Sequence, residues 1–213
     1  MRTIDLEMWP RRNHFEMFQG WHDPRFDMCA NVDLTVFRPA VKQKGASFTI
    51  ALVYVLARAA NDIPEFRMRI RGESVIEHEI VHPGSTILVE GDLFSYSILE
   101  YDEDFRVFAP SAAESIAEVK RNPWVRAETG GDDLLYMTAI PWVTFTSFKH
   151  PLLSVPAHSV PLMAWGKFFE QGTRVLMPLE VDGHHALMDG LHVGRYYEAV
   201  QAYLNTPESW LGD

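Results

Sequence analysis

The sequence predicts an α/β fold with one large mixed sheet and helices packed mainly on one face, and three observations lead there. Short segments that alternate apolar with polar residues recur along the chain, which is the period of half-buried strands. Between and after them come an apolar helix, "FTIALVYVLARAA" from Phe48 to Ala60, and a carboxy-terminal stripe of Val193, Tyr196, Tyr197, Val200, Tyr203 and Leu204 at helical spacing. No repeat, low-complexity tract or Gly/Ser/Pro-rich linker divides the 213 residues, so a single domain over 1–213 is expected.

The elements follow in order. "CANVDLTVF" (Cys29 to Phe37) reads as a strand, and Ser47 then caps the apolar helix, which runs to about Asn61. "RMRIRGESVIEHE" has two alternating arms around Gly72-Glu73, a hairpin signal. "STILVE" and "LFSYSILEY" are further strands, and Ser111 with Glu114 fits a capping box that opens a short helix toward Lys120. The β-branched and aromatic run "LLYMTAIPWVTFTSF" (Leu134 to Phe148) is a long strand that Pro141 bends or places at a sheet edge. "LMAWGKFFEQGTRVLMPLEV" reads as two strands around Glu170-Gln171-Gly172.

Composition narrows the function. A net charge of −10 without clustered Lys and Arg argues against a phosphate-tracking nucleic-acid surface. The most apolar run meets Arg58 well before the roughly 20 residues a membrane span needs. Arg2, Asp5 and Glu7 interrupt any export signal near Met1, and the single cysteine, Cys29, fits a reducing compartment. A cytoplasmic protein without a membrane or nucleic-acid partner is expected.

The segment "DGHHALMDG" (Asp182 to Gly190) lies between a strand and the start of the last helix, where backbone amides are left free. A metal site drawn from His184, His185, Asp189 and His192 meets poor spacing, since adjacent residues on an extended chain point to opposite faces. A nucleophile triad lacks its "GxSxG" elbow and a suitably placed cysteine. Both histidines as buried, backbone-bonded residues is a third reading. In the fourth, His185 acts alone as general base for an acyl transfer. A neutral imidazole near pKa 6.5 suits that task, and a carboxylate in direct contact would hold it as imidazolium. On that reading Asp189 is structural and pairs with some other cation.

"HHALMDGLHVGR" (His184 to Arg195) resembles the HHxxxDG signature of the chloramphenicol acetyltransferase family. "WPRRNHFEMF" (Trp9 to Phe18), "IPEFRMRIRGE" (Ile63 to Glu73), "IPWVTFTSF" (Ile140 to Phe148) and "GTRVLMPLEV" (Gly172 to Val181) resemble its other stretches, in the same order. The resemblance implies a two-layer sandwich that assembles as a homotrimer, with active sites at subunit interfaces and the base facing an acceptor pocket built largely by the neighbour. It implies acetyl-CoA as co-substrate, no tightly bound cofactor or metal, and a hydroxyl of chloramphenicol or a similar small aromatic alcohol as acceptor.

Carried over by residue, His185 matches the base, Asp189 and Arg11 the pair that holds the site's shape, and Thr138 the hydroxyl that donates to the tetrahedral oxyanion. Lys167 matches a lysine near the CoA entrance, and Phe18 and Phe94 match aromatic positions of the acceptor pocket. The acceptor side departs from the pattern in "KHPLLSVPAHSVPLMAW", in Ala164 where a threonine would help bind water, and in "NPWVRAETGGDD", where Trp124 replaces a missing ring. The alternatives are the same chemistry on a different alcohol or amine, and a catalytically silent binding trimer.

Overall fold

A computed structural model describes residues 1–123, 131–151 and 159–212. In chain order the elements are β1 (Arg2–Thr3), α1 (Arg12–Gln19), β2 (Arg25–Asp33), α2 (Phe37–Gln43), α3 (Phe48–Asn61) and α4 (Pro64–Arg67). There follow β3 (Met68–Arg71), β4 (Ser74–Glu77), β5 (His82–Val89), β6 (Leu93–Ile98), α5 (Phe105–Arg121) and β7 (Leu134–Ile140). The chain ends with β8 (Leu162–Gly166), β9 (Phe169–Gln171), β10 (Arg174–His184), α6 (Gly190–Asn205) and α7 (Glu208–Leu211).

The main sheet has the order β2-β10-β8-β7-β5-β6, with β9 added beside β10; β1, β4 and β3 form a small second sheet. Pairing is parallel between β5 and β7 and between β7 and β8, and antiparallel elsewhere, so the sheet is mixed as expected. One face is apolar at every other position: Met137 on β7, Met163 and Trp165 on β8, and Met177, Leu179 and Val181 on β10. Against it lie α3, α5 and α6, which contribute among others Leu52, Leu56, Phe108, Val193 and Tyr196 to the same core. Strand alternation sends the intervening residues, Thr138, Ala164, Glu180 and Asp182 among them, to the opposite, helix-free face.

Local chemistry explains most element boundaries. Ser47 caps α3 as expected, accepting from the Ile50 amide at 3.4 Å, and the β3–β4 hairpin turns at Gly72, whose φ of +61° suits glycine. Other boundaries differ from the sequence reading. β2 stops at Asp33, whose side chain accepts from the Thr35 amide at 2.9 Å and turns the chain into α2 rather than letting it run to Phe37. Pro141 ends β7 rather than bending it. "LMAWGKFFEQGTRVLMPLEV" makes three strands rather than two.

The helix expected from Ser111 starts about two turns earlier. Asp104 is its cap, accepting from the Arg106 amide at 2.9 Å, and Pro110 lies inside the helix. The physical reason is the buried stripe of Phe105, Phe108 and Ala112. Its apolar burial outweighs the single backbone hydrogen bond that the proline removes.

Candidate active site

β10 runs through the sheet between β2 and β8 and delivers His184 and His185 at its end. The His184 carbonyl accepts from the amides of Leu187 (2.9 Å) and Met188 (3.1 Å), closing a tight turn before the cap of α6. Just before the neighbouring strand β2, the Pro24 carbonyl accepts from the His185 amide at 2.8 Å. His184 is buried, with Nδ1 near the Ala186 amide at 3.3 Å. The His185 ring, by contrast, is only partly buried. It stacks on Phe18 with centroids 4.2 Å apart and 3° between planes, and Phe26 closes on it at 4.7 Å.

No carboxylate among the described residues bonds the His185 ring, and its Nδ1 is buried without a hydrogen-bond partner. Asp189 is engaged elsewhere. One of its oxygens accepts from Arg11 at 2.7 Å; the other caps α6, accepting from the Leu191 amide at 3.0 Å, and stands 2.9 Å from His192 Nδ1. A second Arg11 nitrogen donates to the His185 backbone carbonyl at 2.8 Å. Arg11 therefore ties the Asp189 carboxylate to the main chain of the histidine rather than to its ring.

Burial alone would push the Asp189 carboxyl up, but the Arg11 hydrogen bond, the Leu191 amide and the nearby charges of His192 and Arg11 outweigh it and hold it at about 2. His192, whose Nε2 lies 3.4 Å from Glu65, is raised above the ordinary histidine value, chiefly by that carboxylate. Sequence reasoning gave His192 no role beyond a paper metal ligand and overlooked Glu65 and Phe26. The signal available for His192 was its position three residues after the Asp189 cap; Phe26 and Glu65 reach the site only through the fold.

Other expected residues fall away from His185. Thr138 lies on the helix-free face of β7, with its hydroxyl 2.6 Å from that of Thr86. Its register partner is Ala164, whose own partner across β8 and β10 is Glu180. Four residues of rise and two strand spacings separate it from His184, about 16 Å between backbones. Lys167 is exposed just after β8. Phe94 is exposed on edge strand β6, and Trp124 lies outside the described residues. His184, His185, Asp189 and His192 do not converge as metal ligands; among the described residues Asp27, Glu180 and Asp182 do.

Comparison with known proteins adds the family. The family model described as chloramphenicol acetyltransferase matches residues 1–201. A chloramphenicol acetyltransferase of Escherichia coli is 34% identical over 211 residues, covering 99% of this chain and 95% of that one. One from Proteus mirabilis is 32% identical over 202 residues, covering 94% and 93%. A solved structure of a chloramphenicol acetyltransferase superposes with a TM-score of 0.89 at 28% identity, over 95% of this chain and 99% of the other. Fold and sequence alike define the chain as an acyltransferase. It belongs to the chloramphenicol acetyltransferase family.

Proposed function

We propose that this protein transfers an acetyl group from acetyl-CoA to a hydroxyl of chloramphenicol or a similar small aromatic alcohol, with His185 as general base. The observation that carries the reading is the Arg11 clamp. It engages Asp189 and the His185 carbonyl together, so the imidazole is held in place without a carboxylate that would keep it protonated. With Nδ1 sealed, Nε2 is the nitrogen that takes the acceptor's proton.

In the step so drawn, the acceptor oxygen loses its proton to Nε2 and bonds to the thioester carbonyl carbon. The negative charge passes to the carbonyl oxygen, where a Thr138 hydroxyl donates; the carbon–sulfur bond then breaks, and the imidazolium returns its proton to the CoA sulfur. The Thr138 hydroxyl comes from a second copy of the chain, since about 16 Å separates it from the histidine segment of its own chain. The exposed Leu88 and Phe94 on the helix-free face support assembly through that face, as a homotrimer.

The test is thiol release from acetyl-CoA with and without chloramphenicol. Chloramphenicol-dependent release, lost in His185→Ala, is expected. Turnover on other alcohols or amines alone would move the acceptor, as the altered segments at 149–165 and 122–133 would permit. Ligand binding without any turnover would leave a silent binding trimer.

A further inference from the structure

Across β2 and β10, Asp182 is the register partner of Asp27, and Glu180 that of Cys29. Alternation puts Asp27, Glu180 and Asp182 on the helix-free face, since Leu179 and Val181 enter the core on the other. One oxygen from each carboxylate lies within 4.8 Å of the other two. Carboxylates gathered this way normally bring their cations with them, and here the balance is incomplete.

Arg25 Nε donates to Asp182 Oδ1 at 2.8 Å, with both side chains almost fully buried. Glu180 is fully buried, yet among the described residues neither of its oxygens accepts a well-aligned hydrogen bond. His150 Nε2, on a side chain only 9% exposed, stands 3.2 Å from Glu180 Oε2 without hydrogen-bonding alignment, and it too lacks a partner. With all three carboxylates ionised against one guanidinium the formal charge would be −2; in the absence of a cation, burial pushes the Glu180 carboxyl up to about 9, so that it keeps its proton. Asp27 is exposed, whereas ionising the buried Glu180 and Asp182 together is strongly unfavourable unless something cancels their charge.

We propose that Asp27, Glu180 and Asp182 bind a divalent cation, with Arg25 holding Asp182 in place and His150 supporting the Glu180 oxygen that the cation leaves free. One such ion cancels the formal charge and satisfies the unpartnered carboxylate. Oxygen donors select a hard ion such as Mn²⁺, and three oxygens within 4.8 Å of one another are close enough to share one ion. The site cross-links β2 to β10 two to four residues before His184, so its effect is to stiffen the strand that delivers the histidines. It lies apart from His185 and is independent of the proposed transfer reaction.

The experiment titrates Mn²⁺ into tag-free, metal-stripped protein, reading bound metal by electron paramagnetic resonance and the melting temperature alongside. One Mn²⁺ per chain and a rise of a few degrees are expected. Glu180→Gln should abolish binding. Asp27→Asn, at an exposed position where folding is retained, should weaken it at least about tenfold and remove most of the thermal shift. No Mn²⁺ binding by the unaltered protein up to about millimolar concentration would overturn the proposal, and would point to a basic side chain of a second copy as the balancing charge. Unchanged affinity in Asp27→Asn would overturn it equally, by placing the ion elsewhere.

Discussion

At the scale of single residues, two side chains with different duties meet at one backbone segment. His185 offers a ring that stacks on Phe18 and, among the described residues, bonds no acid, whereas Asp189 takes an arginine, a helix amide and a histidine. Removing the ring takes away chemistry without leaving a buried charge, so His185→Ala should lower kcat by about 10²–10⁴-fold with an unchanged melting temperature. A melting temperature far below that of the parent would show that the imidazole is structural. Arg11→Ala instead strands the Asp189 carboxylate and frees the His185 carbonyl. It should cost about 2 kcal/mol of stability along with most of the activity, seen as a lower midpoint in urea. Equal midpoints would remove the clamp from the account. The pair also has a pH signature. Asp189 is held at about 2, below its unfolded value near 4, so its contribution is present above pH 4 and lost as pH falls from about 4 to 2. After allowance for its partial exposure that contribution is about 1 kcal/mol. Asp189→Asn should therefore flatten the acid limb of the stability curve in that window, and an unchanged limb would count against the ion pair.

At the scale of elements, the end of β10 is packed so closely that residue sizes are coupled. A Cβ added at Gly183 would lie 2.5 Å from Met188 Sδ and 2.9 Å from its Cγ. Met188 is fully buried in the core just beyond the turn. Gly183→Ala should thus cost about 1–3 kcal/mol by overpacking, and Met188→Ala about 2–5 by leaving a cavity. The double variant should lose less than the two together, because the new methyl enters the space the methionine vacates. Strict additivity in a chemical-denaturation cycle would show that the two sites do not touch. The helix α5 teaches a related lesson. Ser111 and Glu114 mark a helix start by local rules, yet Phe105 and Phe108 bury themselves upstream and carry the helix through Pro110.

At the scale of the whole molecule, the sheet is covered by helices on one face, and on the other Leu88 and Phe94 stand in the open. A lone chain gains nothing from those side chains, whereas an assembly through that face would bury them. Leu88→Glu should leave far-ultraviolet circular dichroism unchanged, shift the sedimentation coefficient to that of a single chain, and abolish turnover. A variant that stays assembled and active would separate this face from the interface. Among the described residues no helix is long and apolar enough to cross a membrane, and α3, the most apolar of them, carries Arg58 in its last turn.

The amino-acid sequence by itself determined what depends on neighbours along the chain. Period-two alternation marked β2 through β7 in outline and two of the three strands after them, the stripe from Val193 to Leu204 marked α6, Ser47 marked the start of α3, and the histidine segment was placed between a strand and a helix. Those features are local because side-chain direction repeats every two residues on a strand and every 3.6 on a helix. Tertiary structure decided the rest. Alternation shows that two faces differ but not which one helices cover, nor that Thr138 stands far from the His185 of its own chain. Arg11 and Asp189 meet across 178 positions of sequence, and Arg25, Asp27, Glu180 and Asp182 gather because β2 and β10 pair in one particular register. Register and sheet order are set by burial summed over the whole core, a quantity that no short stretch of sequence contains.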